Sequence, residues 1–160
     1  MTAHDNYRTG TDRAGSDNGD KLARLLATVV GATFLLGGVM GFIPGVTTNY
    51  DTMQFAGHEG EAQLLGLFEV SILHNLVHLL YGLAGLAMGR KARTAVTYLL
   101  GGGALYLVLW IYGLLIDQSS DANFVPLSDA NNWLHLFLGV GMIGLGMVAK
   151  KALDRRDTTV

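Results

Sequence analysis

Apolar and polar residues along this chain fall in blocks rather than in strict alternation. Four long apolar runs, at about residues 22–43, 61–89, 94–116 and 132–149, are separated by polar segments. At ~1.5 Å per residue, about 20 helical residues cross a hydrocarbon core, so each run predicts a transmembrane helix. Pro44 and Gly45 end the first run. The second is longer than the core requires, so its first turns should stand outside it or the helix should tilt. The polar segment between the first two runs is rich in Gly, Thr and Asn, which is turn chemistry. Asp129 or Asn131 is expected to cap the fourth helix. The expected fold is all-α: an integral membrane four-helix bundle, residues 22–151.

The ends differ in character. Residues 1–21 are polar, lack periodicity and cannot bury much apolar surface, so a disordered cytoplasmic tail is expected there. Residues 152–160 read as a second cytoplasmic tail. No small-x-small cleavage site follows the first apolar run, so that run should remain as an anchor.

Charge sets the expected orientation. Every Lys and Arg lies near the N-terminus, in the connection holding Arg90, Lys91 and Arg93, or in the C-terminal segment. The two other connections carry Asp51, Glu59, Glu61, Asp117, Asp121 and Asp129 and no basic residue. Basic residues favour the cytoplasmic side, so both termini and the middle connection are expected there. Tyr50, Phe55, Phe124 and Trp133 would then sit at the outer interface. Charged residues are only 15% of the chain against 50% hydrophobic, which is low for a soluble domain. The absence of cysteine excludes disulfides and thiolate metal sites. A net charge of -2 with no basic stripe argues against a nucleic-acid partner.

The second run carries the candidate chemistry. Ser71, His74, Asn75 and His78 are spaced three or four apart and share one helix face. Lipid offers such groups no hydrogen-bond partner, so the stripe must face the bundle. Glu69, Asn132 and His135 are its candidate partners. Neutral imidazoles and amides bonding between helices explain the stripe most simply. Two alternatives stand beside that. His74 and His78 can share a metal, or one can pair with His135 on a haem iron. Histidine can also relay protons in a small proton-coupled transporter. Asp51, His58, Glu59 and Glu61 form a candidate outer-face cation site, although Glu59 and Glu61 also suit the first turn of a helix.

An internal similarity is visible. Asn75-x-x-His78-Leu79-x-x-Gly82 is matched by Asn132-x-x-His135-Leu136-x-x-Gly139. Both runs would cross from outside to inside, which suggests a two-plus-two build about an axis along the membrane normal. The distances to the following basic clusters differ, so the two motifs are expected at different depths.

Three stretches carry a wider resemblance: GFIPGVTTNYD at 41–51, FAGHEGEAQLLGLFEVSILHNLVHLLYGLAGLA at 55–87, and NFVPLSDANNWLHLFLGVGMIGLG at 123–146. Together they resemble domain-of-unknown-function family 4383, a group of small four-span actinobacterial membrane proteins. The resemblance covers about residues 22–149. It implies a bacterial plasma-membrane location and a four-helix bundle, and it supplies no activity. The expected role is a non-enzymatic bundle that acts through the lipid bilayer, self-association or a membrane-protein partner. No cofactor is predicted, with haem as the alternative.

Overall fold

The computed structural model describes the backbone of residues 3–157 and the side-chain surroundings of residues 18–155. Four helices dominate: α1 (Ala3–Met40), α2 (Ile72–Met88), α3 (Ala92–Leu115) and α4 (Asp129–Asp157). α1 packs against the other three, and α3 lies along α4. The core between them holds Phe34, Leu99, Tyr98, Tyr106 and Met142, with Ala23, Ala27 and Ala95 where backbones come close. Large apolar side chains point outward all round the bundle, among them Leu36, Leu80, Val108, Phe137 and Met147. Three helical segments, Asn18–Met40, Ala92–Leu115 and Asp129–Arg155, are long and apolar enough to cross a membrane.

The second helix departs from its expected bounds. α2 begins at Ile72, and residues 61–71 are not helical. They belong to a small antiparallel sheet of β1 (Thr47–Thr48), β2 (Gln63–Leu64) and β3 (Phe68–Glu69), in that order. Thr47 pairs with Leu64, and Leu64 with Phe68. The turn joining β2 to β3 explains the break. Leu65 and Gly66 both take left-handed backbone angles, with φ of 56° and 68°, which no helix tolerates. Ser71 then starts α2, its hydroxyl accepting from the His74 N–H at 3.1 Å. α2 has 17 residues, at the short limit for a span.

The expected break at residue 21 is also absent, because α1 is continuous from Ala3. Extending a formed helix avoids the cost of nucleation, so a polar segment joined to a stable span can continue it. α4 likewise runs past the expected boundary to Asp157. The capping expectation for α4 shifts by a residue or more: the Asn131 N–H donates to the Ser128 hydroxyl at 3.4 Å.

The two-plus-two similarity extends through all four helices. Gly31, Phe34 and Leu35 in α1, with Gly41 just after it, recur at identical spacing as Gly103, Tyr106, Leu107 and Gly113 in α3. Their contacts recur as well. A Cβ on Gly31 would lie 2.9 Å from the Gly82 carbonyl oxygen, and one on Gly103 would lie 2.8 Å from that of Gly139. A Cβ on Gly41 would strike the Asn75 side chain, and one on Gly113 would strike that of Asn132. His78 and His135 each stand at the same step after Ser71 and Ser128. Measured from the start of its helix, each motif begins at the same turn.

Candidate functional site

Ser71 fixes the start of α2, so the polar stripe occupies its first two turns. Ser71, His74 and Asn75 are 1%, 5% and 1% exposed, and all face inward. His78 is partly buried. The stripe points into the bundle, as its hydrogen-bonding needs require. His74 Nε2 lies 3.0 Å from His78 Nε2, so one imidazole donates to the other. The two rings meet edge to face with centroids 4.4 Å apart.

His135 reaches the same region from α4. It is 4% exposed, and its ring lies 5.3 Å from that of Tyr106. His78 makes the corresponding contact with Phe34, at 5.5 Å. A cavity of about 60 Å³ lies among the three histidines, closed by Tyr106, Leu109 and Phe124. The expected pairing of the stripe with His135 thus takes the form of a shared cavity. The Nδ1 atoms of His74 and His135 are buried and have no protein partner. Beneath the cavity lies an aromatic cluster: Tyr81 stands 4.7 Å from Phe34 and 5.5 Å from Tyr106, ring to ring.

The two asparagines lie elsewhere. Asn75 packs into the space left by Gly41, and its Nδ2 donates to Met53 Sδ at 3.9 Å. Asn132 packs into the space left by Gly113, on the α3 side of α4. Glu69 contributes its backbone rather than its carboxylate: its carbonyl accepts from Asn131 Nδ2 at 2.8 Å. Burial raises the Glu69 carboxyl above the usual carboxylate value, and the charge of His58 partly offsets this.

The outer acidic residues do not converge at the candidate cation site. Among the described residues, no three His, Cys, Asp or Glu side chains converge in a way that could hold a metal ion. Asp51 sits in a single 3-10 turn, Tyr50–Thr52. Glu61 is held through its backbone, its N–H donating to Thr52 Oγ1 at 3.0 Å and its carbonyl accepting from Asn49 Nδ2 at 3.2 Å. Glu59 and Glu61 lie outside any helix, so the helix-dipole explanation fails too.

Sequence patterns concealed two residues that matter here. Asn131 Nδ2 joins the Glu69 and Pro126 carbonyls, at 2.8 and 2.7 Å, and so ties the loop before α4 to β3. Asn123, 2% exposed, accepts from the Leu127 N–H at 2.9 Å and donates to the Gln118 carbonyl at 2.9 Å. In sequence Asn131 reads only as a helix cap and Asn123 as an ordinary loop residue. Their burial is the signal, and only the fold supplies it.

The fold and its polar seam define a helical bundle with an apolar exterior, compatible with a membrane protein. The chain belongs to the family described as a domain of unknown function (DUF4383), whose model matches residues 24–148. No curated protein and no solved structure matches it.

Proposed function

We propose that the chain is a four-span protein of a bacterial plasma membrane, with both termini cytoplasmic, acting without catalysis as a packed unit in lipid. The observation that carries this reading is the inversion of polarity. His74, Asn75, Asn132 and His135 are all buried, while Leu80, Val108, Phe137 and Val140 are exposed. A bundle dissolved in water would place these groups the other way round. The separation of basic from acidic connections supports the orientation. In this reading His74 and His78 bond each other within α2 and pack against the facing helices, and function resides in the outer surface, through self-association or a membrane partner.

A second reading rests on the shared cavity. Three imidazoles around a space of about 60 Å³ suit one or two water-sized species. That supports a proton-binding role over haem, since pockets for organic ligands start at about 300 Å³. An absorbance spectrum of protein purified in mild detergent tests the main reading. No Soret band is expected. A Soret band lost in both His78→Asn and His78→Leu would replace this reading with a cofactor module.

A further inference from the structure

We propose that the cavity between the α1–α2 and α3–α4 hairpins binds water, and that this water joins His135 to the His74–His78 pair in one hydrogen-bonded network. The inference rests on the proton-binding reading of the cavity and names the group that carries the proton between the rings. It starts from a difference between the hairpins. In the first, His78 finds its partner one turn earlier on its own helix, at His74, 3.0 Å away. The corresponding position in the second is Asn131. Its Nδ2 is committed to the Glu69 and Pro126 carbonyls, at 2.8 and 2.7 Å. His135 is therefore left without a partner on its own helix.

His135 is 4% exposed and lines the cavity. No hydrogen bond joins either of its ring nitrogens to a described residue. A neutral imidazole carries one N–H and one bare nitrogen, so it needs a partner that both donates and accepts. Left unmade in a buried setting, either bond costs free energy. The unpartnered amides of the helix seams are a different case. Asn75 and Asn132 fill the spaces left by Gly41 and Gly113 and do not line this cavity.

Size and walls select the guest. A cavity needs roughly 10–15 Å³ to admit one water, and this one has about 60 Å³. Val77, Leu109, Val125 and Leu127 make much of the wall, and no carboxylate or basic side chain lines it. An inorganic ion would exchange its hydration for hydrocarbon there. A water stays where it finds about two to four polar partners, and His135 with the His74–His78 pair supplies them. The other titratable groups at the wall are Tyr106, which packs on His135, and Tyr112, whose hydroxyl donates to the Ala122 carbonyl at 2.9 Å. From α1, Phe34 faces His78. An excess proton on His135 can pass to the water while the water gives one of its own to the pair. Charge then crosses between the hairpins, and the water is regenerated.

Solid-state NMR of the full chain tests this, with isotope-labelled histidine and phosphatidylcholine vesicles. Magnetisation is passed from water to the imidazole nitrogens. Transfer to His135 is expected, alongside transfer to the partly exposed His58 of the outer loop, which serves as control. Val125→Phe fills the cavity from the loop and Leu109→Phe fills it from α3; each should abolish transfer to His135 and leave that to His58. His135→Phe should shift the tautomer balance of His74 and His78, and His135→Gln, which still donates and accepts, should shift it less. The proposal is overturned by a wild-type chain with no transfer to His135, by transfer that survives in a folded cavity-filling variant, or by a tautomer balance that ignores His135→Phe. The same signals, followed between about pH 8 and about pH 5, separate the bridge from the reading beneath it. Rings that stay neutral while water still reaches His135 end the proton role and uphold the bridge. A ring that gains charge with no water transfer upholds the proton role and ends the bridge.

Discussion

Phe34 and Tyr106 stack at the centre of the bundle, with ring centroids 5.4 Å apart and planes 25° from parallel. They hold corresponding positions in α1 and α3, so the midpoint between them lies on the pseudo-two-fold axis of the fold. His78 flanks one ring and His135 the other. The protein is therefore two similar helical hairpins joined through an aromatic pair, with one histidine of the shared cavity contributed from each side and His74 added by the first alone. At the position corresponding to His74 the second hairpin has Asn131, which ties the loop to β3.

The glycines at the hairpin seams are the first test. A Cβ on Gly82 would lie 2.6 Å from the Leu35 backbone nitrogen, and one on Gly139 would lie 3.1 Å from the Gly103 carbonyl oxygen. Gly82→Leu and Gly139→Leu should each cost about 1–3 kcal/mol or more, because backbone cannot yield as a side chain does. Gly141→Leu, at a position with open space around it, should leave stability nearly unchanged. Thermal unfolding in detergent ranks the three. Equal melting temperatures for Gly82→Leu and Gly141→Leu would contradict the packing described.

The histidine pair gives the second. His78→Leu strips His74 Nε2 of its 3.0 Å partner and should cost about 1 kcal/mol. His78→Asn keeps a group that donates and accepts, so it should retain more stability. Denaturation of the two variants side by side decides this, and a leucine variant as stable as wild type would remove the pair from the account.

Asn131 provides the third. Asn131→Ala leaves the Glu69 and Pro126 carbonyls without their donor, at a cost of about 1–3 kcal/mol. Proteolysis within the loop before α4 should accelerate in this variant. Unchanged cleavage would show that the loop is held by something else.

Glu69 links stability to pH. Burial raises its carboxyl above 4.5, with His58 offsetting part of the effect. The folded chain then binds this proton more tightly than the unfolded chain does. The resulting stabilisation is complete below the unfolded value and is lost as pH rises from 4.5 through the folded value. Glu69→Gln cannot ionise, so the melting temperature of the wild type should fall relative to this variant between about pH 4 and about pH 7. A constant difference across that range would mean the carboxylate is solvated.

Much of this fold is visible in the chain because apolar runs of span length have few other outcomes. α3 lies within two residues of its expected bounds at either end. The inward face of His74 and Asn75 follows from spacing alone. The start of α2 does not, because the apolar sequence from Ala62 to Val70 suits a helix as well as a strand. Left-handed geometry at Leu65 decides between them, and leucine carries no signal for it. The outer acids were legible as a cluster in sequence but not in space, since backbone bonds at Glu61 direct that loop. The shared cavity was half legible. The histidines stand out, whereas Tyr106 is recognisable only once α1 and α3 are aligned on their glycines.

The central claim is that all four helices cross the membrane with both ends inside, and α2, the shortest, is where it is most exposed to test. The chain has no cysteine, so single cysteines at Thr48, Ala92 and Ser119 can be labelled without background. A membrane-impermeant maleimide applied to intact cells should modify Thr48→Cys and Ser119→Cys, and should reach Ala92→Cys only after permeabilisation. Labelling of Ala92→Cys in intact cells would contradict the four-span arrangement.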